Sequence, residues 1–92
     1  MDVLLERIPA HHPQVISRMI EEETLLLKVD TGQVSVLNEV GGSIWALMDG
    51  NRRLADIVEQ LGQTYRVERQ QLESDVQVFV HELLDRDMLA WS

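Results

Sequence analysis

The hydrophobic pattern of this 92-residue chain changes period at Asn38. Before that point apolar residues form short runs or alternate, in Val15-Ile16-Ser17-Arg18-Met19-Ile20, Thr24-Leu25-Leu26-Leu27-Lys28-Val29 and Gln33-Val34-Ser35-Val36-Leu37. Strands produce such a texture because successive side chains point to opposite faces. After Asn38 the apolar residues recur every three or four positions, the spacing that lines one face of a helix. Strands followed by helices in so short a chain must share one core, with the helices covering one face of the sheet. The expected fold class is therefore α+β, an N-terminal three-stranded antiparallel sheet followed by three helices.

Asp30-Thr31-Gly32 supplies turn chemistry for a tight hairpin at Asp30–Gln33. Asn38 is a good N-cap, with Glu39 in the first turn where the helix dipole favours an acid. The first helix is expected to turn Val40, Ile44, Leu47 and Met48 inward and to end at Asp49-Gly50. A second is expected from about Arg53 to Gln60, with Leu54, Ile57, Val58 and the adjoining Leu61 as its stripe and Gly62 closing it. A third is expected over about Glu68 to Asp85, with Leu72, Val76, Phe79, Val80 and Leu83 inward. Gly41-Gly42 lies inside a helical pattern, where close approach of helix to sheet explains it. Met88-Leu89-Ala90-Trp91 reads as an apolar tail or a strand returning to the sheet. Both prolines, Pro9 and Pro13, fall in the opening segment, so residues 1–14 are expected as an extended arm and 15–92 as the domain.

Helix two, the turn at Gly62 to Tyr65 and helix three have the form of a helix-turn-helix with the strands as a wing, which raises DNA binding. Charge opposes it. The chain has sixteen acidic and eight basic residues, a net charge of −8. The would-be recognition helix carries Glu68, Glu73, Asp75, Glu82, Asp85 and Asp87 against Arg69 and Arg86. Phosphates would be repelled rather than release counterions, and the pair Arg52-Arg53 is too small to reverse the field. An anionic membrane is disfavoured for the same reason. The first residues lack the basic and apolar regions of a signal peptide, and no apolar run approaches the roughly 18–20 residues that span a bilayer. The expected location is cytoplasmic.

Chemistry has little to work with. Absence of cysteine excludes disulfides and thiolate metal sites. His11 and His12 sit in the proline-flanked arm, and His81 has only Asp85 as a useful partner one turn away. No phosphate-cradling loop and no serine with a nearby general base is present. The expectation is a chain with no catalytic residue, no metal and no cofactor: a binding module rather than an enzyme. Its third strand, Gln33–Leu37, offers unpaired backbone groups along one sheet edge unless the carboxyl-terminal tail pairs with it. Such an edge can take an extended peptide as an added strand, with the long helix flanking it.

The run Val36-Leu37-Asn38-Glu39-Val40-Gly41-Gly42-Ser43-Ile44-Trp45, then Asp49-Gly50, Leu54-Ala55-Asp56-Ile57-Val58-Glu59-Gln60-Leu61 and Ser74-Asp75-Val76, followed by Phe79, Leu83 and Met88-Leu89, resembles the PqqD-like family. Its members are precursor-peptide recognition elements of ribosomally synthesised, post-translationally modified peptide pathways. The resemblance covers about residues 15–91 and implies a winged-helix-like fold in which a precursor's leader adds as a strand in the groove between the third strand and the third helix. Carried over by position, the backbone of Val34, Ser35 and Val36 would pair with the leader, and Asp75, Val78, Phe79 and Glu82 would form the groove wall. Phe79 reads equally as a core residue, and Glu82 as part of a solvated face. Family members in pyrroloquinoline quinone synthesis usually carry a Pro-Glu turn where this chain has Asp30-Thr31-Gly32-Gln33. That departure, with Val40-Gly41-Gly42-Ser43-Ile44-Trp45 in the first helix, is more similar to the discrete recognition proteins of lasso-peptide clusters, which hand the leader to a separate leader peptidase. The alternative implied is a chaperone presenting its precursor to a radical-SAM enzyme.

Overall fold

The computed structural model describes residues 3–92. After a short 3-10 turn at Val3–Glu6 come β1 (Pro9–His11), β2 (Val15–Ile20), β3 (Glu23–Lys28), β4 (Gln33–Leu37), α1 (Glu39–Leu47), α2 (Leu54–Thr64), α3 (Arg69–Asp85) and β5 (Leu89–Trp91). Strands β2, β3 and β4 form one antiparallel sheet in that order, and the helices follow it. This is the expected α+β, winged-helix-like arrangement.

Alternation decides which face of that sheet is covered. Thr24, Leu26 and Lys28 of β3 and Ser35 and Leu37 of β4 are buried beneath the helices. Ile44 and Trp45 of α1, Leu54, Ile57, Val58 and Leu61 of α2, and Leu72, Val76, Val80 and Leu83 of α3 complete the core. Removing this much apolar surface from water is the main stabilising term. Gly42 makes the close approach possible: a Cβ there would stand 2.5 Å from Thr24 Oγ1, so α1 can rest on β3 only without a side chain at that point.

Several elements depart from the sequence expectation. The second strand of the sheet begins at Glu23 and ends at Lys28, one residue earlier at each end, leaving Val29 to Gly32 as the turn. Gly32 takes φ 76 there. Helix α2 does not stop at Gly62 but continues to Thr64, its last bond donated by the Tyr65 N–H to Leu61 O at 2.8 Å. Burial of Leu61 beside α3 outweighs the cost of about 1 kcal/mol for an interior glycine. Val40, expected inward, is 47% exposed because it lines an open groove rather than the core, while Trp45, absent from the expected stripe, is 2% exposed. The apolar tail does become a strand, yet β5 pairs with β1 in a separate two-stranded sheet, Ala10 opposite Ala90, and not with the three-stranded one.

The amino-terminal segment is tied down accordingly. Besides the β1–β5 ladder, Leu54 N–H donates to Arg7 O and Gly50 N–H to Pro9 O. His11 stacks on Trp45 with ring centroids 3.7 Å apart, and Arg7 lies over the Trp91 ring.

Candidate peptide-binding groove

Because β5 is engaged with β1, strand β4 remains an edge of its sheet. Alternate backbone groups along it point away from β3, and no strand among the described residues receives them. Beside this edge runs α3. Between the two lies an open groove of about 390 Å³, lined by Val36, Leu37, Asn38, Val40, Gly41 and Ile44 on one side and Asp75, Val78, Phe79, Glu82 and Arg86 on the other.

The helix wall follows from spacing. Asp75, Val78, Phe79, Glu82 and Arg86 recur at three- and four-residue intervals, one face of a 3.6-residue helix. Val76, Val80 and Leu83, on the adjoining face, are buried in the core. Phe79 is half-buried and does both things: it packs against the core cluster and forms the groove's apolar centre. Val78 is 55% exposed.

Five of the seven residues singled out from the sequence thus meet at one groove: Val36, Asp75, Val78, Phe79 and Glu82. Val34 and Ser35 lie on the same strand but do not line it. Val34 points to the uncovered sheet face and is 54% exposed, whereas Ser35 points beneath the helices, where Arg86 Nη1 donates to its Oγ at 3.4 Å. Their backbone, the part the sequence reading assigned, belongs to the edge strand.

The contribution of α1 and its cap to the opposite wall was not anticipated. Asn38 caps α1 by accepting the Gly41 N–H at 2.8 Å, and this fixes the first turn of α1 at the groove mouth, presenting Val40. A Cβ on Gly41 would sit 3.4 Å from Phe79 Cε1, so α1 approaches the Phe79 ring closely at this point. Arg86 was likewise missed. It was counted only in the charge balance of α3, though its interval from Glu82 was the available signal.

Charge is unevenly placed along the groove. Asp75, whose Oδ1 accepts from Gln71 Nε2 at 2.8 Å, and Glu82 make the middle and far end acidic, while Arg86 is the cation at the β4 end. That end is anchored by Lys28, which is 4% exposed and bonds the carboxylate of Asp87 just after α3. The Lys28 hydrogen bond, and then its charge, hold the Asp87 carboxyl below the ordinary carboxylate range. Among the described residues no three His, Cys, Asp or Glu side chains gather where they could hold a metal ion, and no helix is long and apolar enough to cross a membrane.

An edge strand flanked by an amphipathic helix defines a module able to take an extended chain by strand addition. The comparisons are of the same kind. The family model for coenzyme PQQ synthesis protein D (PqqD) matches residues 23–89, and the chain belongs to that family. The structure of TbiB1 in complex with the TbiA(beta) leader peptide superposes with a TM-score of 0.82 at 31% identity, covering 87% of this chain and 93% of that one. Lasso peptide synthetase B1 complexed with the leader peptide gives a TM-score of 0.82 at 23% identity over 90% of this chain and 98% of that one, a likeness of fold. A comparison with curated protein sequences found no match.

Proposed function

We propose that this protein captures the leader segment of a ribosomally made precursor peptide as a strand added to β4, holds it against α3, and delivers it to a separate processing enzyme. The observation that carries the reading is the free β4 edge facing the 390 Å³ groove of α3. The likeness to TbiB1, whose structure contains a leader peptide, supports it. Backbone pairing supplies affinity that tolerates sequence, and the groove side chains supply selection. The leader, disordered when free, is ordered on binding, and the attached core peptide is thereby concentrated at the partner enzyme. In this reading the chain performs no chemistry itself. A lasso-type leader peptidase is the favoured partner, because Asp30-Thr31-Gly32-Gln33 stands where quinone-pathway relatives usually carry Pro-Glu.

A partner also needs a surface. The sheet face away from the helices is apolar and uncovered: Leu27 stands between Ile16 and Val34, and Leu25 between Arg18 and Val36, with Ile16 58% and Val36 56% exposed. A contiguous patch of this kind marks an interaction site. Strand addition at β4 would extend the same face.

Calorimetry with the leader segment of the cognate precursor peptide tests the reading. Proline is placed in turn at Ser35 and Val36. Neighbouring residues direct their N–H groups to opposite sides of a strand, so one variant disrupts the β3–β4 ladder and the other removes only an outward donor. The variant that keeps the wild-type circular dichroism spectrum is expected to lose leader binding. Full affinity in that variant would contradict strand addition.

A further inference from the structure

We propose that Arg86 is a specificity-determining residue that takes a carboxylate side chain of the bound strand, so that the groove selects an extended segment with an apolar anchor followed by an acid. The proposal rests on the leader-binding reading and goes beyond it by naming the chemistry of the segment.

Among the described residues Arg86 is the one cation that lines the groove. Of the others, Lys28, Arg52, Arg53 and Arg69 each hold a carboxylate, Arg7 lies over Trp91, and Arg18 and Arg66, which like Arg86 are in no ion pair among the described residues, lie outside the groove lining. Arg86 lies in the groove with no carboxylate of the described residues within ion-pair distance. Glu82, one turn earlier and in the favourable order for a helix pair, lines the same groove without engaging it. The guanidinium turns instead toward β4, where its one contact is the 3.4 Å bond to Ser35 Oγ. A guanidinium has five N–H donors in a planar fork that matches a carboxylate. Four of them are left for a ligand.

The geometry also gives the order of the groups. Arg86, at the end of α3, lies by Ser35, whereas Phe79 lies by Gly41, beyond the end of β4. Helix α3 therefore runs opposite to β4. Every pairing in the sheet is antiparallel, and a strand added in the same sense runs alongside α3 in its own direction. Its earlier residues pass Asp75, its anchor covers Val78 and Phe79, and its later residues reach Arg86. Seven helical positions separate Phe79 from Arg86, about 10 Å along the axis. A strand rises about 3.3 Å per residue and turns alternate side chains to one side, so the acid falls about two or four residues after the anchor. Asp75 disfavours an acid before the anchor, and Glu82, one turn before Arg86, confines a favoured acid to the Arg86 end of the groove.

The test uses a randomised 12-residue peptide library displayed on its own messenger RNA, selected against the wild-type chain, R86Q, R86E and the folded edge-proline variant. Wild type is expected to enrich Asp or Glu two or four residues after an apolar position. R86Q should keep the apolar position and lose the acidic preference, and R86E should replace it with Lys or Arg. For the best peptide, Asp to Asn at that position should weaken binding to wild type by about three- to tenfold, an effect absent with R86Q. Peptides that need the β4 edge but show no acidic preference, or the same preference on R86E, overturn the role of Arg86 alone. No enrichment, or enriched peptides that bind the edge-proline variant equally well, overturn the groove reading and the proposal together.

Discussion

Lys28 in the middle strand and Asp87, the residue after the C-cap of α3, are joined side chain to side chain, the ammonium buried and the carboxylate exposed. Asp87 takes φ 55 and closes α3 with two capping bonds, its own N–H to Leu84 O at 3.0 Å and the Met88 N–H to Leu83 O at 2.9 Å. Met88 and Leu83 are both buried, the apolar contact that accompanies this kind of helix end. The ion pair therefore pins the end of α3, and with it Arg86, to the sheet beside β4.

Asp87→Asn isolates the charge, because asparagine tolerates the left-handed conformation as well as aspartate does. The Asp87 pKa is lowered in the folded chain, so its contribution is present above the unfolded carboxyl value of about 3.9 and is lost as pH falls through the folded value. The variant should melt below wild type at pH 7, and the two melting temperatures should converge as acidification takes the pH below the lowered Asp87 value. Asp30, 4.0 Å from Lys28, stays in place in both. Equal melting temperatures at pH 7 would show that the pair does not stabilise the fold.

Gly42→Ala sets two effects against each other. Alanine favours helix by about 1 kcal/mol, but its Cβ would meet Thr24 Oγ1 at 2.5 Å, and overpacking of this kind costs about 1–3 kcal/mol. The net expectation is a loss of about 1 kcal/mol in urea unfolding. Gly62→Ala is the control: its Cβ would meet only Leu72 Cδ1 at 3.7 Å, and the expected change is a gain.

Asp75→Arg should weaken binding of the leader by about tenfold while leaving the circular dichroism spectrum unchanged, since Asp75 is exposed and bonds only Gln71. Unchanged affinity in calorimetry would remove Asp75 from the site.

Phe79→Ala should act on fold and groove together. Phe79 is half-buried against the core, so truncation should cost about 1–3 kcal/mol, less than for a fully buried ring. Val78→Asp, at a 55% exposed position, should leave the melting temperature within a degree or two and still reduce leader affinity. Retained affinity in both variants would remove the apolar centre of the groove from recognition.

Glu on the outer sheet face tests the partner surface separately from the leader site. Ile16→Glu lies on β2, two strands from the groove edge, and should leave leader affinity intact while slowing processing by the partner enzyme. Unaltered processing would show that the partner docks elsewhere.

Much of this was legible from period alone. Strands β2 to β4 and the inward stripe of α3 follow from alternation and from helical spacing, both local properties. The Asn38 cap and the close approach at Gly42 were legible too, because each rests on one residue's chemistry. What failed was of another kind. Gly62 reads as a stop, yet α2 runs through it because Leu61 is buried beside α3. Val40 fits the inward stripe, yet is half exposed because it faces the open groove instead of the core. Trp45 was missed because its surroundings are assembled from distant parts of the chain, among them His11, 34 positions away, which stacks on it.

The sequence by itself determined the order of strands and helices, the acidic balance that opposes a polyanionic partner, and the family, since these reside in composition and short-range pattern. Which sheet edge stays open was decided only in three dimensions. A strand's own residues specify that it will pair but not with what. Ala90 met Ala10 because β1 and β5 were brought together at the end of α3, and that choice left β4 free beside Phe79 and Arg86.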